Sequence, residues 1–418
     1  MMTSSRRAYV WIWLPGQTSP VVAGLVERDD QDRYRFTYGR RYLARHDAIS
    51  LFPDELPLQP GSQEQADGTL PSCLRDASPG AWGRRVIINR LTGQKGEAAD
   101  GVDFNELVYL LESGSGRIGA LDFQQSSTDY WPRESQAATL DELQEASAYV
   151  EAGEPLPPAL DQAIQHGSSI GGARPKAILD DRDRKLVAKF SSSNDLYSVV
   201  KAEFVAMRLA RQAGLDVAPV EMARSLGKDV LLVERFDREK ATEGWGRHIV
   251  LSALTLLGLD EMMARYASYE DLAHRIRAEF DQPGQTLREL LGRIVFNVLC
   301  GNTDDHARNH AAFWDGVSYR LTPAYDICPQ SRTGGEATQA MLLHDRERRS
   351  QLVHCLAAAE RLGLRHAQAR EIINHQIATI HDHWGDVCDE ADLSPVDREL
   401  LWGRQFLNPF ALEGYTKA

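Results

Sequence analysis

The sequence predicts an α+β protein with a β-rich N-terminal part, a mixed middle and a mostly helical C-terminal part. Three observations carry this. Residues 9–60 alternate apolar and polar positions in short runs broken by Gly, Pro and Asp-Asp, the period of half-buried strands. Residues 176–236 place two strand runs, a helix and a further strand in succession. From about 248 to 300, and again from 351 to 385, the apolar period becomes helical.

Taken in order, Tyr9–Leu14, Val21–Glu27 and Tyr34–Tyr38 read as strands of one small sheet. The turn from Ser78 to Gly83 feeds a helix that starts near Ala81. A helical run from Leu140 to Ala152 is broken by Gly153, Pro155, Pro157 and Pro158, the expected domain boundary. A Ser/Gly-rich loop spans His166–Ala173. Strands follow at Lys176–Leu179 and Leu186–Phe190, separated by the charged turn Asp180–Arg184. Residues 198–213 form a helix that stops at Gly214, with Pro219 beyond it. Asp229–Phe236 reads as another strand, and Ser318–Leu321 as a short one. The expected organisation is residues 1–150, 151–240 and 241–418. A chain of 418 residues exceeds the roughly 250–300 at which one core stops growing.

Apolar residues make up 43% and charged residues 26%, ordinary for a globular protein. The net charge of −13, with no long basic run, argues against direct contact with nucleic acid. The five cysteines (Cys73, Cys300, Cys328, Cys355 and Cys388) form no C-x-x-C, which predicts free thiols in a reducing compartment. The start of the chain lacks the pattern of an export signal, and no apolar run approaches ~18 residues. A cytoplasmic protein without a membrane segment is expected.

The chemistry concentrates in residues 301–309, Gly-Asn-Thr-Asp-Asp-His-Ala-Arg-Asn, which follow the apolar helical run Leu291–Leu299. Five residues separate Asp304 from Asn309, the Asp-x-x-x-x-Asn spacing of kinase catalytic loops. One carboxylate must take the proton of an attacking hydroxyl, and Asp304 is assigned to it. Oxygen ligands must hold the ions that bridge phosphates, and Asn309 and Asp326 are suited to it. The spacing alone also fits a polar capping loop. His306 is read equally as a structural hydrogen-bonding residue or as a phosphate contact.

Upstream, Ser168-Ser169-Ile170-Gly171-Gly172-Ala173-Arg174-Pro175-Lys176 can cradle an anion, since paired glycines let backbone N–H groups approach closely. Read by itself it is equally a surface turn. Lys189, between Ala188 and Phe190, needs a partner for its charge, and an ATP phosphate or a carboxylate would serve. Glu203 is one candidate carboxylate, although it also reads as a glutamate reaching solvent at the edge of its helix face. The backbone of Glu234, Arg235 and Phe236 can pair with adenine. The histidines of the C-terminal helices (His354, His366, His375, His381 and His383) show no metal-ligand spacing and read as surface residues.

In this order, the Ser-Ser-Ile-Gly-Gly-Ala-Arg-Pro-Lys loop, Lys189-Phe190, Val233–Asp237, the 301–309 loop and Leu321–Asp326 resemble the HipA family, the kinase toxins of bacterial toxin–antitoxin pairs. Residues 74–85 are similar to the segment that precedes the kinase part in that family. The resemblance implies a protein-kinase-like two-lobed fold with a β-rich N-terminal subdomain and an all-helical C-terminal region. It implies Asp304 as catalytic base and Asn309 and Asp326 as Mg²⁺ ligands. ATP contacts would come from Gly171, Gly172, Ala173, Arg174, Pro175, Lys176, Lys189, Glu234, Arg235, Phe236, His306, Asn309, Tyr325 and Asp326. Autophosphorylation is expected on Ser169, with Ser168 as the neighbouring alternative. The implied partner is a small helix-turn-helix antitoxin, and some members phosphorylate aminoacyl-tRNA synthetases. Arg308 stands where many members carry Lys, which alters hydrogen-bond geometry at constant charge. Two rival readings stay open: a small-molecule phosphotransferase, and a weakly active scaffold that works by binding the antitoxin.

Overall fold

The computed structural model describes residues 5–93, 102, 104–133, 138–154, 156–157, 160–161, 164, 169–181, 183–192, 195, 197–332 and 334–416. The chain forms two compact units. The first comprises Met1–Ser192, Arg224–Leu251 and Trp314–Val317; the second comprises Ser193–Ala223, Ser252–Phe313 and Ser318–Ala418.

In the first unit, strands β1 (Arg7–Ile12), β2 (Val21–Arg28), β3 (Tyr34–Tyr38), β4 (Ser62–Glu64) and β5 (Leu121–Gln124) form one sheet in the order β4-β3-β2-β1-β5. The three strands expected from the alternating pattern are therefore present, and β4 and β5 complete the sheet. Within β5, the buried Asp122 accepts hydrogen bonds from Ser115 Oγ at 2.7 Å, Arg117 Nε at 3.0 Å, Arg133 Nη2 at 2.9 Å and Tyr130 Oη at 2.9 Å. Burial alone would raise this carboxyl. Arg117 and Arg133 overcome that and bring it down to about 2.

Helix Ala81–Thr92 begins where expected and ends on Gly93. Helix Leu140–Ala152 has the predicted bounds, with a Thr139/Glu142 capping box and Gly153 in the left-handed conformation at its end. Trp82, Val86, Ala146, Val150, Leu160 and Ile164 make one buried cluster. This corrects the expected boundary at the Pro-rich break, because the residues on either side of it share a core and 151–192 stay with the first unit.

Strands β6 (Lys176–Asp181) and β7 (Arg184–Phe190) are antiparallel, and Lys228–Glu234 pairs with the other side of β7. The ladder continues through Asp180↔Lys185 and Asp181↔Arg184, so the turn is shorter than predicted. The strand expected over Asp229–Phe236 ends instead at Glu234, because Arg235 turns its side chain into the body of the unit.

The second unit is built on helix Pro283–Cys300. Leu290, Leu291, Ile294, Val295, Phe296, Val298, Leu299 and Cys300 are all buried, and a helix apolar on nearly every side belongs inside its domain. Helices Tyr269–Glu279, Leu352–Arg361 and His366–Glu390 surround it. The continuous helical reading of 248–300 needs correction: Ile249–Ser252 is a strand, and only short helical turns precede Tyr269. Helix Val199–Gln212 buries Glu203 together with Val199, Val200, Met207 and Ala210, which overturns the solvent-reaching alternative for that glutamate. No helix among the described residues is long and apolar enough to cross a membrane.

Candidate active site

The predicted residues fall into two groups, one in each unit. In the first unit, Gly171, Gly172, Ala173 and Arg174 are exposed, while Pro175 and Lys176 are buried. Gly172 takes φ +101°, which glycine alone adopts without strain. A Cβ there would stand 2.2 Å from Lys176 Nζ. Lys176 Nζ donates to the Gly171 carbonyl at 2.8 Å, which folds the loop back over the start of β6.

The loop is also held from the N-terminal side. The Trp82 backbone N–H donates to the Gly172 carbonyl at 3.1 Å, and its indole N–H to the Lys176 carbonyl at 3.2 Å. A Cβ on Gly80 would come within 2.3 Å of the Gly172 nitrogen. Residues 79–82 are thus a backbone clamp on the glycine loop, which gives physical content to the similarity noted for residues 74–85.

Lys176 and Lys189 face each other directly across β6 and β7. Glu234 lies opposite Leu186 and is half-buried, as is Phe236. The Arg235 side chain, as distinct from the backbone expected to face adenine, is engaged inside the unit. Its Nε and Nη2 bond Asp237 at 2.9 and 2.7 Å, Nη1 the Gly116 carbonyl at 2.5 Å, and Nη2 also the Arg117 carbonyl at 2.8 Å. Its backbone N–H donates to the Lys185 carbonyl. The guanidinium is a frame element and not a ligand contact. Asp237 accepts further from Gly119 N–H and Arg238, each at 2.7 Å, and although burial opposes ionisation, the two arginines hold its carboxyl well below the usual range.

Ser169 is 1% exposed and sits beside Gly116, where a Cβ would lie 3.8 Å from the Ser169 hydroxyl. The serine is thus withdrawn from solvent. Ser168 lies outside the described residues.

In the second unit, Gly301 closes the central helix in the left-handed conformation, and a Cβ there would stand 2.8 Å from the Gln405 carbonyl. Asn302 follows, buried. Its amide nitrogen donates to Asn297 Oδ1 at 3.0 Å and to the Asp326 carbonyl at 3.4 Å, so one side chain ties the helix end to the predicted metal aspartate. Asp326 itself takes φ +58°, an uncommon conformation for a residue with a Cβ and one that clusters at functional sites. Its approach is fixed by Ala324, whose N–H donates to the Asp216 carbonyl at 2.7 Å and whose carbonyl accepts from Ala218 at 2.9 Å. Tyr325 Oη donates to the Arg308 carbonyl at 2.7 Å, joining the 301–309 loop to the Asp326 segment.

Asp304 is open to solvent. Its carboxyl is nevertheless raised, first by partial desolvation and then by the Asp326 and Asp305 carboxylates, with His306 pulling the other way. Mutual repulsion between Asp304 and Asp326 means that the two negative groups share one neighbourhood. Asn309 Nδ2 donates to the Asp304 carbonyl at 3.3 Å, which leaves its oxygen as the end a cation would meet. The His306 N–H donates to the Asp304 carbonyl at 2.8 Å, and its Nδ1 is buried without a partner among the described residues. Arg308 places its Nη2 2.8 Å from Glu261, so its charge is used within the unit.

Three residues that hold this loop were not read from the sequence. Asp305 is buried, accepts from the Tyr269 hydroxyl, and lies 2.9 Å from His310 Nε2. Burial pushes its carboxyl up, but His310 and the Tyr269 hydroxyl more than offset this and the net shift is downward. The only trace in the sequence is the Asp-Asp doublet, in which one carboxylate faces solvent and the other anchors.

No group of three or more His, Cys, Asp or Glu side chains among the described residues could hold a metal ion by itself. Mg²⁺ is usually held by one or two carboxylates together with substrate phosphates and water. Asp326 with Asn309, next to the repelled Asp304, fits that kind of open set.

Comparisons with known proteins bear on the family and the fold. Residues 12–124 match the HipA N-terminal domain. A Sinorhizobium fredii protein, Y4mE, is 33% identical over 131 residues, covering 30% of this chain and 31% of its own length. The serine/threonine-protein kinase toxin HipA of Shewanella oneidensis is 29% identical over 186 residues, covering 38% of this chain and 42% of its own length. The chain thus spans about a third to less than half of these relatives' lengths. The solved complex of Shewanella oneidensis HipA, HipB and operator DNA contains a chain alike in fold over 95% of this one and 96% of its own, with TM-score 0.71 at 20% identity. Residues 168–384, just over half of the chain, match the HipA-like C-terminal domain, and the chain belongs to the HipA family.

Proposed function

We propose that this chain is an ATP- and Mg²⁺-dependent serine/threonine-protein kinase that acts as a toxin. The observation that supports it most is the pairing of Asp304 and Asp326 as mutually repelling carboxylates on loops pinned by Asn302, Asp305 and Tyr325. A cation held between the two would relieve that repulsion.

In the reaction, Asp304 accepts the proton of the substrate hydroxyl as its oxygen attacks the γ-phosphorus and the bond to the ADP leaving group breaks. Asn309 and Asp326 would hold Mg²⁺, which when bound neutralises charge on the phosphates. Gly171, Gly172, Arg174, Lys176 and Lys189 bind and orient the triphosphate. Glu234 and Phe236 present backbone to the adenine, and Tyr325 keeps Arg308–Asn309 in register with Asp326. His306 steadies the loop through its backbone and offers its ring to a phosphate.

Autophosphorylation belongs to the same proposal. Phosphate on Ser169 adds about −1.5 to −2 charges to a buried position, so the glycine loop must leave its seat to carry the group. That removes Lys176 and the loop amides from the nucleotide and switches the enzyme off. The partner is a small helix-turn-helix antitoxin, through which the acidic toxin reaches DNA. The substrate is a protein, with an aminoacyl-tRNA synthetase as first candidate, and the setting is the cytoplasm.

The test is transfer from labelled ATP, with wild type and Asp304→Asn side by side, offered protein and small-molecule acceptors. Label should enter protein, including Ser169 by mass spectrometry (Ser168 as second choice), and should vanish in the variant. Label on aminoglycosides or sugars alone would favour a small-molecule phosphotransferase. No turnover at all would favour a binding scaffold.

A further inference from the structure

Arg332 lies six residues beyond Asp326 and is 8% exposed. Its Nε, Nη1 and Nη2 are all buried, and none has a hydrogen-bond partner among the described residues. Guanidinium is charged at any physiological pH, so the group cannot escape its burial by giving up a proton. A buried ion without a counter-charge is among the costliest arrangements a fold can keep. Among the described residues, the neighbour that acts on it electrostatically is Cys300, whose thiol burial pushes up to about 12. Cys300 is therefore neutral and supplies no compensating charge.

We propose that Arg332 is the receptor for a phosphate-class oxyanion on the segment that follows Asp326. A carboxylate would satisfy one edge of the guanidinium fork. Four oxygens around one phosphorus leave fewer of its five N–H groups unmet. The site is coupled to the catalytic loop, because the Gln330 N–H donates to the Gly301 carbonyl at 3.0 Å, and Gly301 begins the 301–309 loop. An anion on Arg332 fastens residues 330–332 against that loop. The oxyanion is either free phosphate or a phosphoryl group on a side chain. Neither requires this chain to be a kinase.

The experiment is thermal unfolding of the full chain in chloride buffer, titrated with inorganic phosphate at constant ionic strength, after phosphatase treatment. Wild type should show a saturable rise of a few degrees. Arg332→Met should show none, and without phosphate it should melt at or above wild type because it removes a buried unmatched charge. Arg332→Lys, which keeps the charge without the fork, should respond more weakly than wild type, and it serves if the methionine variant does not fold. Lys189→Met should keep the response, separating this site from the nucleotide residues. If phosphatase treatment lowers the wild-type melting temperature and phosphate restores it, the natural occupant is a phosphorylated side chain; a response to added phosphate alone identifies the free anion. An equal response in wild type and Arg332→Met, no response in wild type, or an Arg332→Met protein that melts well below wild type in chloride would each overturn the proposal.

Discussion

Lys176 and Lys189 are cross-strand partners, directly opposite each other in the ladder of β6 and β7. Like charges in that relation are unfavourable, and the proposed triphosphate would lower that cost. Lys189→Met, which keeps the length and apolar stem of the side chain, should lower ATP affinity about 10- to 100-fold, the worth of one charge-assisted hydrogen bond. Calorimetric titration checks this, and unchanged affinity would take Lys189 off the triphosphate.

Loss of Asp326 should act through the metal. Asp326→Ala is expected to fold, since the backbone bonds of Ala324 and the Asn302 contact to the residue 326 carbonyl do not use the carboxylate. ATP affinity should fall in Mg²⁺ and change little in EDTA, because only the metal-bridged part of binding is removed. Equal losses in both buffers would place Asp326 elsewhere.

Asp304→Asn should preserve nucleotide binding while reducing single-turnover transfer by about 10²–10⁴-fold. The pH dependence follows from the raised carboxyl. Asp304 works as a base only when ionised, so the rate should fall with decreasing pH at values above the ordinary carboxylate range. A wild-type rate that stays level down to about pH 4 would exclude Asp304 as the base.

Acid stability should depend on Asp122. Its folded-state carboxyl is depressed to about 2, so its contribution is complete above the unfolded value near 4 and lost as pH falls to about 2. Asp122→Asn should cost at least about 2 kcal/mol at neutral pH, and the gap to wild type should close over that acid window. Urea unfolding at several pH values measures it. A gap that stays constant from pH 7 to 2 would mean that the charge on Asp122 is not what stabilises the unit.

Much of the fold was legible because it is local. The bounds of helix Leu140–Ala152 follow from its capping box and terminal glycine, and the burial of residues 290–300 from their largely apolar circumference. The 301–309 loop was legible because its chemistry is written in consecutive residues. What escaped depends on contacts between distant segments, which leave no period in the sequence. Tyr269 reaches Asp305 across 36 positions, and Arg235 reaches the Gly116 carbonyl across 119. Nothing near Arg235 distinguishes an arginine that faces a ligand from one that braces a loop. Asp304 and Asp305 are chemically identical neighbours, and only the fold leaves one carboxylate exposed and anchors the other in the interior.

The grip of Trp82 on the glycine loop makes that loop observable. The indole donates to Lys176 and the backbone to Gly172, while the ring is buried in the core with Val86 and Ala146. Any departure of the loop strips the ring of its hydrogen bond and admits water beside it. Its emission should then move to longer wavelength on the timescale of loop motion itself. Among the eight tryptophans, Trp82 is an indigenous fluorophore wired to the glycine loop. A variant retaining it alone would let stopped-flow optics time the opening and closing of the loop as nucleotide arrives or Ser169 is modified.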